Sequence, residues 1–160
     1  MPISGITTNY VGRSIDIHIM QGVDPKKADA HPVTLSFGKI SNYCTGIQKL
    51  VQRFAILLLT ELGSQPNSPE FGSSLLLDLR KTSSQANIGE LTGLINTACM
   101  NVVSFLRNFQ RTSELPADEQ IDTAVLQSVQ TSGGRIDIRI GILNMEGAST
   151  VFITPLPINQ

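Results

Sequence analysis

An α+β fold, with two main helices packed on a small C-terminal antiparallel sheet and N-terminal strands ahead of them, is what this 160-residue sequence predicts. Three observations predict it. Apolar residues recur at helical spacing through Ile47–Leu58 and again through Ile88–Leu106. Ile136, Ile138, Ile140 and Ile142 alternate with Arg135, Asp137 and Arg139 at the two-residue period of a half-buried strand. Segments bearing Gly and Pro separate these blocks. The length makes one globular core the default and is enough to bury it. Residues 1–37 read as an N-terminal β arm, and 38–160 as the α+β domain proper.

Taken in order, Ile15, Ile17 and Ile19 alternate with Asp16, His18 and Met20, which predicts a strand. Residues 21–32 carry Gly22, Pro25 and Pro32 and form an exposed loop. Val33, Leu35 and Phe37 predict a second short strand, and 38–43 turn the chain towards the first helix. That helix starts at Thr45, because Thr45-Gly46-Ile47-Gln48 has the form of a capping box. Ile47, Leu50, Val51, Phe54 and Leu58 make its apolar stripe, and Ile56, Leu57 and Leu59 widen it until the final turns are apolar all round.

Residues 60–73 then form a rigid corner. Gly63 is placed as a left-handed helix stop, and Pro66 and Pro69 stiffen the crossing by fixing their own φ. Residues 74–79 predict a short helix or turn. A longer helix begins between Thr82 and Asn87, where several capping residues compete, and runs to about Asn108. Its buried face is Ile88, Leu91, Ile95, Ala98, Val102 and Leu106. Residues 110–120 are a polar connection containing Pro116. The last third is a meander: a strand over 121–130, a turn at 131–134, a strand over 135–143, a turn at 144–148, and a strand over 149–154 stopped by Pro155 and Pro157.

Composition excludes several functions. Apolar residues make up 41% and charged residues 16%, the latter below the usual quarter or so, which fits a surface partly covered by partners and equally a small, rather neutral monomer. A net charge of -1 with scattered Lys and Arg argues against nucleic-acid binding, which needs clustered cations. Cys44 and Cys99 lie in apolar segments without metal-ligand spacing and read as buried reduced thiols. Residues 1–12 lack the basic start and apolar core of a signal peptide, and the longest apolar run, Phe54–Leu59, is far too short to span a membrane. The expectation is a soluble protein made in the cytoplasm.

Catalytic groups do not gather. His18 and His31 have no Cys, Asp or Glu at a metal or triad spacing. Glu61, Glu70 and Asp78 could supply a glycosidase pair, which must converge on one bond in a cleft. They flank a helix end and a loop, however, without aromatics to stack on sugar. Gly133-Gly134 leads into a strand, not a helix, and is therefore a turn rather than a phosphate cradle. No catalytic residue, cofactor or metal is assigned. A short isoleucine-rich sheet does have edges with unpaired N–H and C=O groups, which Arg135, Asp137 and Arg139 could blunt by charge or which could equally accept a strand from another chain.

The order of apolar helix, Leu58-Leu59-Thr60-Glu61-Leu62-Gly63-Ser64, Pro69-Glu70-Phe71-Gly72-Ser73-Ser74-Leu75, long helix and β-hairpin resembles the baseplate wedge proteins that act as sheath initiators in contractile phage tails. Counterparts occur in type VI secretion and related injection machines. The resemblance spans about 38–143. It implies a non-enzymatic structural protein in several copies around a ring, linking wedge proteins to the first sheath ring near the tail tube. Sheath strands would add to its sheet and start polymerisation. The family often carries a Glu-Pro-Arg triplet before the hairpin. Here the nearest equivalent is Phe109-Gln110-Arg111, so only Arg111 corresponds, as a wedge contact. The family arginine after the corner glycine is replaced by Ser64-Gln65.

The candidate residues are therefore Thr60, Gly63, Pro69, Phe71 and Gly72 for the structural corner. Ile136, Ile138, Ile140, Ile142, Val151 and Ile153 are the candidates for pairing with a partner strand. The implied partners are the tail sheath protein, baseplate wedge proteins and the tail tube, with no nucleic acid and no membrane, in a virion tail assembled in the host cytoplasm. Three alternatives stand beside this reading: a component of a secretion or toxin-injection device, a cell-wall glycoside hydrolase, and a cytosolic adaptor.

Overall fold

A computed structural model of the chain describes residues 16–17, 20–21, 34–35, 43–82, 87–132 and 135–157. Ile15, Ile19, His18, His31, Val33, Phe37 and Gly133-Gly134 lie outside these described residues. Four two-residue strands come first: β1 (Asp16–Ile17), β2 (Met20–Gln21), β3 (Thr34–Leu35) and β4 (Tyr43–Cys44). β1 pairs antiparallel with β4, and β2 with β3. Tyr43, placed by the sequence in a turn, is thus a strand residue set opposite Ile17.

Helix α1 (Gly46–Leu59) buries Leu50, Val51, Phe54, Leu57 and Leu58 and carries the predicted stripe. Thr45 is its N-cap residue, but no side-chain cap hydrogen bond forms there. The threonine half of the expected capping box therefore does not form, and the next residue, Gly46, enters the helix at a φ of +59°. The helix also ends earlier than expected. Thr60 is the C-cap, in extended conformation, with its N–H on the Ile56 carbonyl. Gly63 therefore does not stop the helix; at φ +79° it follows inside the corner.

Helix α2 (Leu75–Lys81) is short. Helix α3 (Ile88–Thr112) is capped by Asn87, whose side-chain oxygen accepts from the Glu90 N–H at 2.9 Å. It runs four residues beyond Asn108, because Phe109 and Gln110 still pack and bond on its flank: the Arg53 guanidinium lies 5.4 Å from the Phe109 ring centre. Within the polar connection a 3-10 turn (Ala117–Glu119) leads into the sheet, and its Asp118 and Glu119 are buried.

The sheet is a meander in the order β5 (Ile121–Ser132), β6 (Arg135–Asn144), β7 (Ser149–Pro157). β7 continues through Pro155 to Pro157 rather than stopping at Thr154. Its inner face sets Ile136, Ile138, Ile140, Ile142, Phe152 and Leu156 against α1 and α3, closing one core with Phe54, Ile95 and Val102. The Phe54 and Phe152 rings meet edge to face at 6.3 Å. This is the α+β architecture expected: a helical layer on one face of an antiparallel sheet.

Candidate functional site

The corner is a closed loop clamped at its base. The Thr60 carbonyl accepts from the Ser73 N–H at 2.8 Å, and the Ser73 carbonyl accepts from the Leu62 N–H at 3.0 Å. Glu61 and Ser73 thereby form a parallel bridge. The buried Ser73 hydroxyl completes the clamp, donating to the Leu58 carbonyl at 2.6 Å and accepting from the Leu75 N–H at 3.2 Å. One side chain thus closes the end of α1 and opens α2.

Gly72 makes this approach possible. It has a φ of +115°, and a Cβ there would sit 2.7 Å from the Thr60 carbonyl oxygen. Phe71 anchors the loop on α3 by an edge-to-face contact with Phe105, 6.2 Å between centres. Gly63 and Pro69 are exposed, and nothing lies within 4 Å of where a Cβ on Gly63 would stand. The five corner residues thus divide. Thr60, Phe71 and Gly72 build the clamp, whereas Gly63 and Pro69 shape the exposed tip.

The strand-pairing candidates divide as well. Ile136, Ile138, Ile140 and Ile142 line β6, the central strand, with β5 on one side and β7 on the other. Both rows of β6 backbone groups are already used, and its isoleucines are buried in the core. This corrects the expectation that they could pair with a partner strand: a guest can only add outside β5 or β7.

The β5 edge is obstructed. Register shifts fall between Ile121 and Thr123 and between Leu126 and Ser128, and bulges of this kind twist an edge away from flat pairing. At its start, the Gln110 amide occupies both groups of Ile121. It accepts from the Ile121 N–H at 2.9 Å and donates to the carbonyl at 3.1 Å. Arg107 donates to the neighbouring Asp122 carbonyl.

β7 is different. Pro155 stands opposite Asp137 and Pro157 opposite Arg135. A proline fits such a ladder only where its missing N–H faces away from the neighbouring strand. Because backbone groups alternate sides along a strand, Thr150, Phe152 and Thr154 bond inward to β6. Ser149, Val151 and Ile153 turn their N–H and C=O groups outward. Among the described residues no strand lies against that row. Val151 and Ile153, two of the six candidates, hold the open edge.

Arg111 is exposed in the last turn of α3, well before the hairpin. The residues directly preceding β5 are Asp118, Glu119 and Gln120, and here lies a cluster that the sequence reading missed. Glu119, fully buried, forms an ion pair with Lys49 at 3.2 Å. The Asp118 carboxylate reaches the first turn of α1, where it would lie 2.7 Å from a Cβ on Gly46. The Asp118 carbonyl accepts from Asn144 Nδ2 at 3.0 Å, and the Gln120 carbonyl from the Met145 N–H at 3.0 Å. The cluster ties α1, the hairpin entrance and the β6–β7 turn together. Its sequence signal was faint: Lys49 and Gln52 interrupt the flank of an otherwise apolar helix, and acids after a proline resemble any solvated turn.

The acids considered for hydrolysis have separate surroundings. Glu61 is paired with Arg80 at 3.3 Å, Glu70 is exposed, and Asp78 lies on α2, where its carbonyl accepts from the Thr82 hydroxyl. Among the described residues no group of three or more His, Cys, Asp or Glu could hold a metal, and no helix is long and apolar enough to cross a membrane. Cys44 and Cys99 are buried free thiols. Burial, then the Asp16 carboxylate, push Cys44 up to about 11, and burial pushes Cys99 up to about 12.

No family model matches this chain, and no curated protein matches it. Among solved structures, it is similar to a crystal structure from Geobacter sulfurreducens that carries the provisional name tail lysozyme. The identity is 18% and the TM-score 0.45, over 71% of this chain and 91% of that one. Likeness at that level transfers neither mechanism nor partners from one chain to the other.

Proposed function

We propose that this chain is a non-enzymatic structural component of a contractile-tail baseplate, linking wedge proteins to the first sheath ring and nucleating the sheath by accepting a strand on β7. The observation that carries the reading is the row at Ser149, Val151 and Ile153, against which no strand lies among the described residues, on the outer side of a sheet whose other edge is obstructed. Main-chain pairing at such an edge supplies affinity through backbone hydrogen bonds. The clamped corner supports the reading by fixing how the helical layer is presented. The resemblance in residues 58–75 supplies the identity of the guest. A secretion or injection device would use the same edge in the same way. Arg111, exposed at the end of α3, is the proposed wedge contact, and the protein would act in several copies around the tail tube.

The test is a proline at Val151 or Ile153, which removes an outward N–H without touching the ladder to β6. The expected result is intact baseplates without sheath in electron micrographs. Sheaths of normal length on Val151→Pro particles, with the variant protein incorporated, would overturn the proposal. Proline at Ile138 or Ile140 is uninformative here, because it breaks the central strand itself.

A further inference from the structure

Strand addition has a hazard: an edge open to a guest is open to other copies of the same chain. The β7 edge contains a device against this. Its outward row begins at Ser149, directly after the turn at 144–148, and complete donor–acceptor pairs continue only through Val151 and Ile153. From Pro155 onward the row keeps its carbonyls but has no N–H, and the Pro155 ring occupies the space a guest strand would need.

Two copies of β7 meeting antiparallel about Ile153 would set Pro155 of each against Val151 of the other. Pro157 would fall against Ser149. The longest self-pairing register is therefore blocked at both ends. The register centred on Val151 keeps the prolines out of the bonded positions, but it offers only three bonding positions, Ser149, Val151 and Ile153, and brings each copy's turn against the other's Pro155. A two-stranded contact that short is marginal in water.

We propose that Pro155 and Pro157 hold the β7 edge below the length at which free copies of this chain can pair, while leaving Ser149–Ile153 open to a strand from a partner already held nearby. The proposal rests on the reading of β7 as the accepting edge and adds when it accepts. A partner fixed beside the edge in a ring presents its strand at high effective concentration, so a few backbone pairs suffice there. In free solution the same pairs do not. Nucleation is thus confined to the assembled ring by two residues that never touch the guest's bonded positions.

The experiment uses the purified full chain and needs no sheath protein. Pro155→Val with Pro157→Val restores both N–H groups and lengthens the open row. Size-exclusion chromatography with light scattering should show the double variant rising, with concentration, to at least twice the mass of the wild type at the same loading. Adding Val151→Pro to that background should return the wild-type mass. If the double variant fails to fold by circular dichroism, Pro155→Val alone, which extends the row by one bonded position, gives the same readout. A folded variant whose mass matches the wild type at every concentration overturns the proposal. So does association that Val151→Pro leaves unchanged, since it would not run through β7. Failure here leaves the Val151→Pro sheath experiment untouched, so the two readings can fall separately.

Discussion

Replacing Lys49 by Met removes the ammonium that pairs with a buried carboxylate. The Glu119 side chain is 0% exposed and Lys49 10%, with 3.2 Å between Nζ and Oε2. Water cannot take over at that depth, and salt screens buried pairs poorly. Removing one partner of a buried pair costs about 3–5 kcal/mol. For a chain of this size each kcal/mol moves Tm by roughly 2–4 °C, so Lys49→Met should lower Tm by about 6–20 °C. The double variant Lys49→Met with Glu119→Leu removes both charges and fills similar volume, which is often neutral or stabilising. It should therefore recover most of the loss, the non-additivity expected of two residues in contact. Urea and thermal unfolding followed by far-UV circular dichroism measure all three variants. The prediction fails if Lys49→Met stays within about 1 kcal/mol of wild type, well below what breaking a buried pair costs. It also fails if the double variant loses the sum of the two single losses.

Three further predictions concern the corner and the thiols. Gly63 and Gly72 both have positive φ, but only Gly72 lacks room for a Cβ, which would stand 2.7 Å from the Thr60 oxygen. Gly63→Ala should cost only the left-handed backbone penalty of about 1–2 kcal/mol. Gly72→Ala should cost clearly more, because the clamp must open. Equal losses in urea unfolding would remove the distinction between clamp and tip. For the cysteines, pKa values raised to about 11 and 12 in the folded state mean that folding favours the protonated thiols. Their contribution is complete below the ordinary thiol range near pH 8.5 and is lost as pH rises towards 11 and 12. Stability should therefore decline on going from pH 8 to pH 10.5. Native-state labelling by a thiol reagent at pH 8 should be at least about a hundredfold slower than in denaturant, following the lower thiolate fraction. Labelling at the denatured rate would show the thiols to be open.

What was legible in the sequence follows from how local each cause is. The stripe on α1, the face of α3 from Leu91 to Leu106 and the alternation of β6 are periodic patterns, and periodicity reports which face is buried. Ile88, expected on that α3 face, is exposed, because it sits in the first turn beside the Asn87 cap. The Asn87 cap could not be singled out among competing capping residues, because what selects a cap is where the helix must begin to meet its core. Gly63 has the residue type of a helix stop, yet the helix stops at Thr60 because Ser73 takes the Thr60 carbonyl. That partner is thirteen residues away and invisible to a local rule. Lys49 and Glu119 were missed for the same reason, since a buried pair joining elements far apart leaves each residue looking solvated.

The sheet edge shows this limit most plainly. Alternation in β6 tells which side chains are inward but says nothing about whether the strand is central or lateral, and a central strand is unavailable to a guest however many isoleucines it carries. The informative residues were the prolines. Read locally, Pro155 and Pro157 end a strand. Set opposite Asp137 and Arg135 in the ladder, they cannot be inward bonding positions, so they establish which β7 residues face out and where that row stops. A residue type that forbids one hydrogen bond thus carries more positional information than several that permit it. Val151 and Ile153 follow as the accepting pair from what proline lacks, rather than from any property of their own side chains.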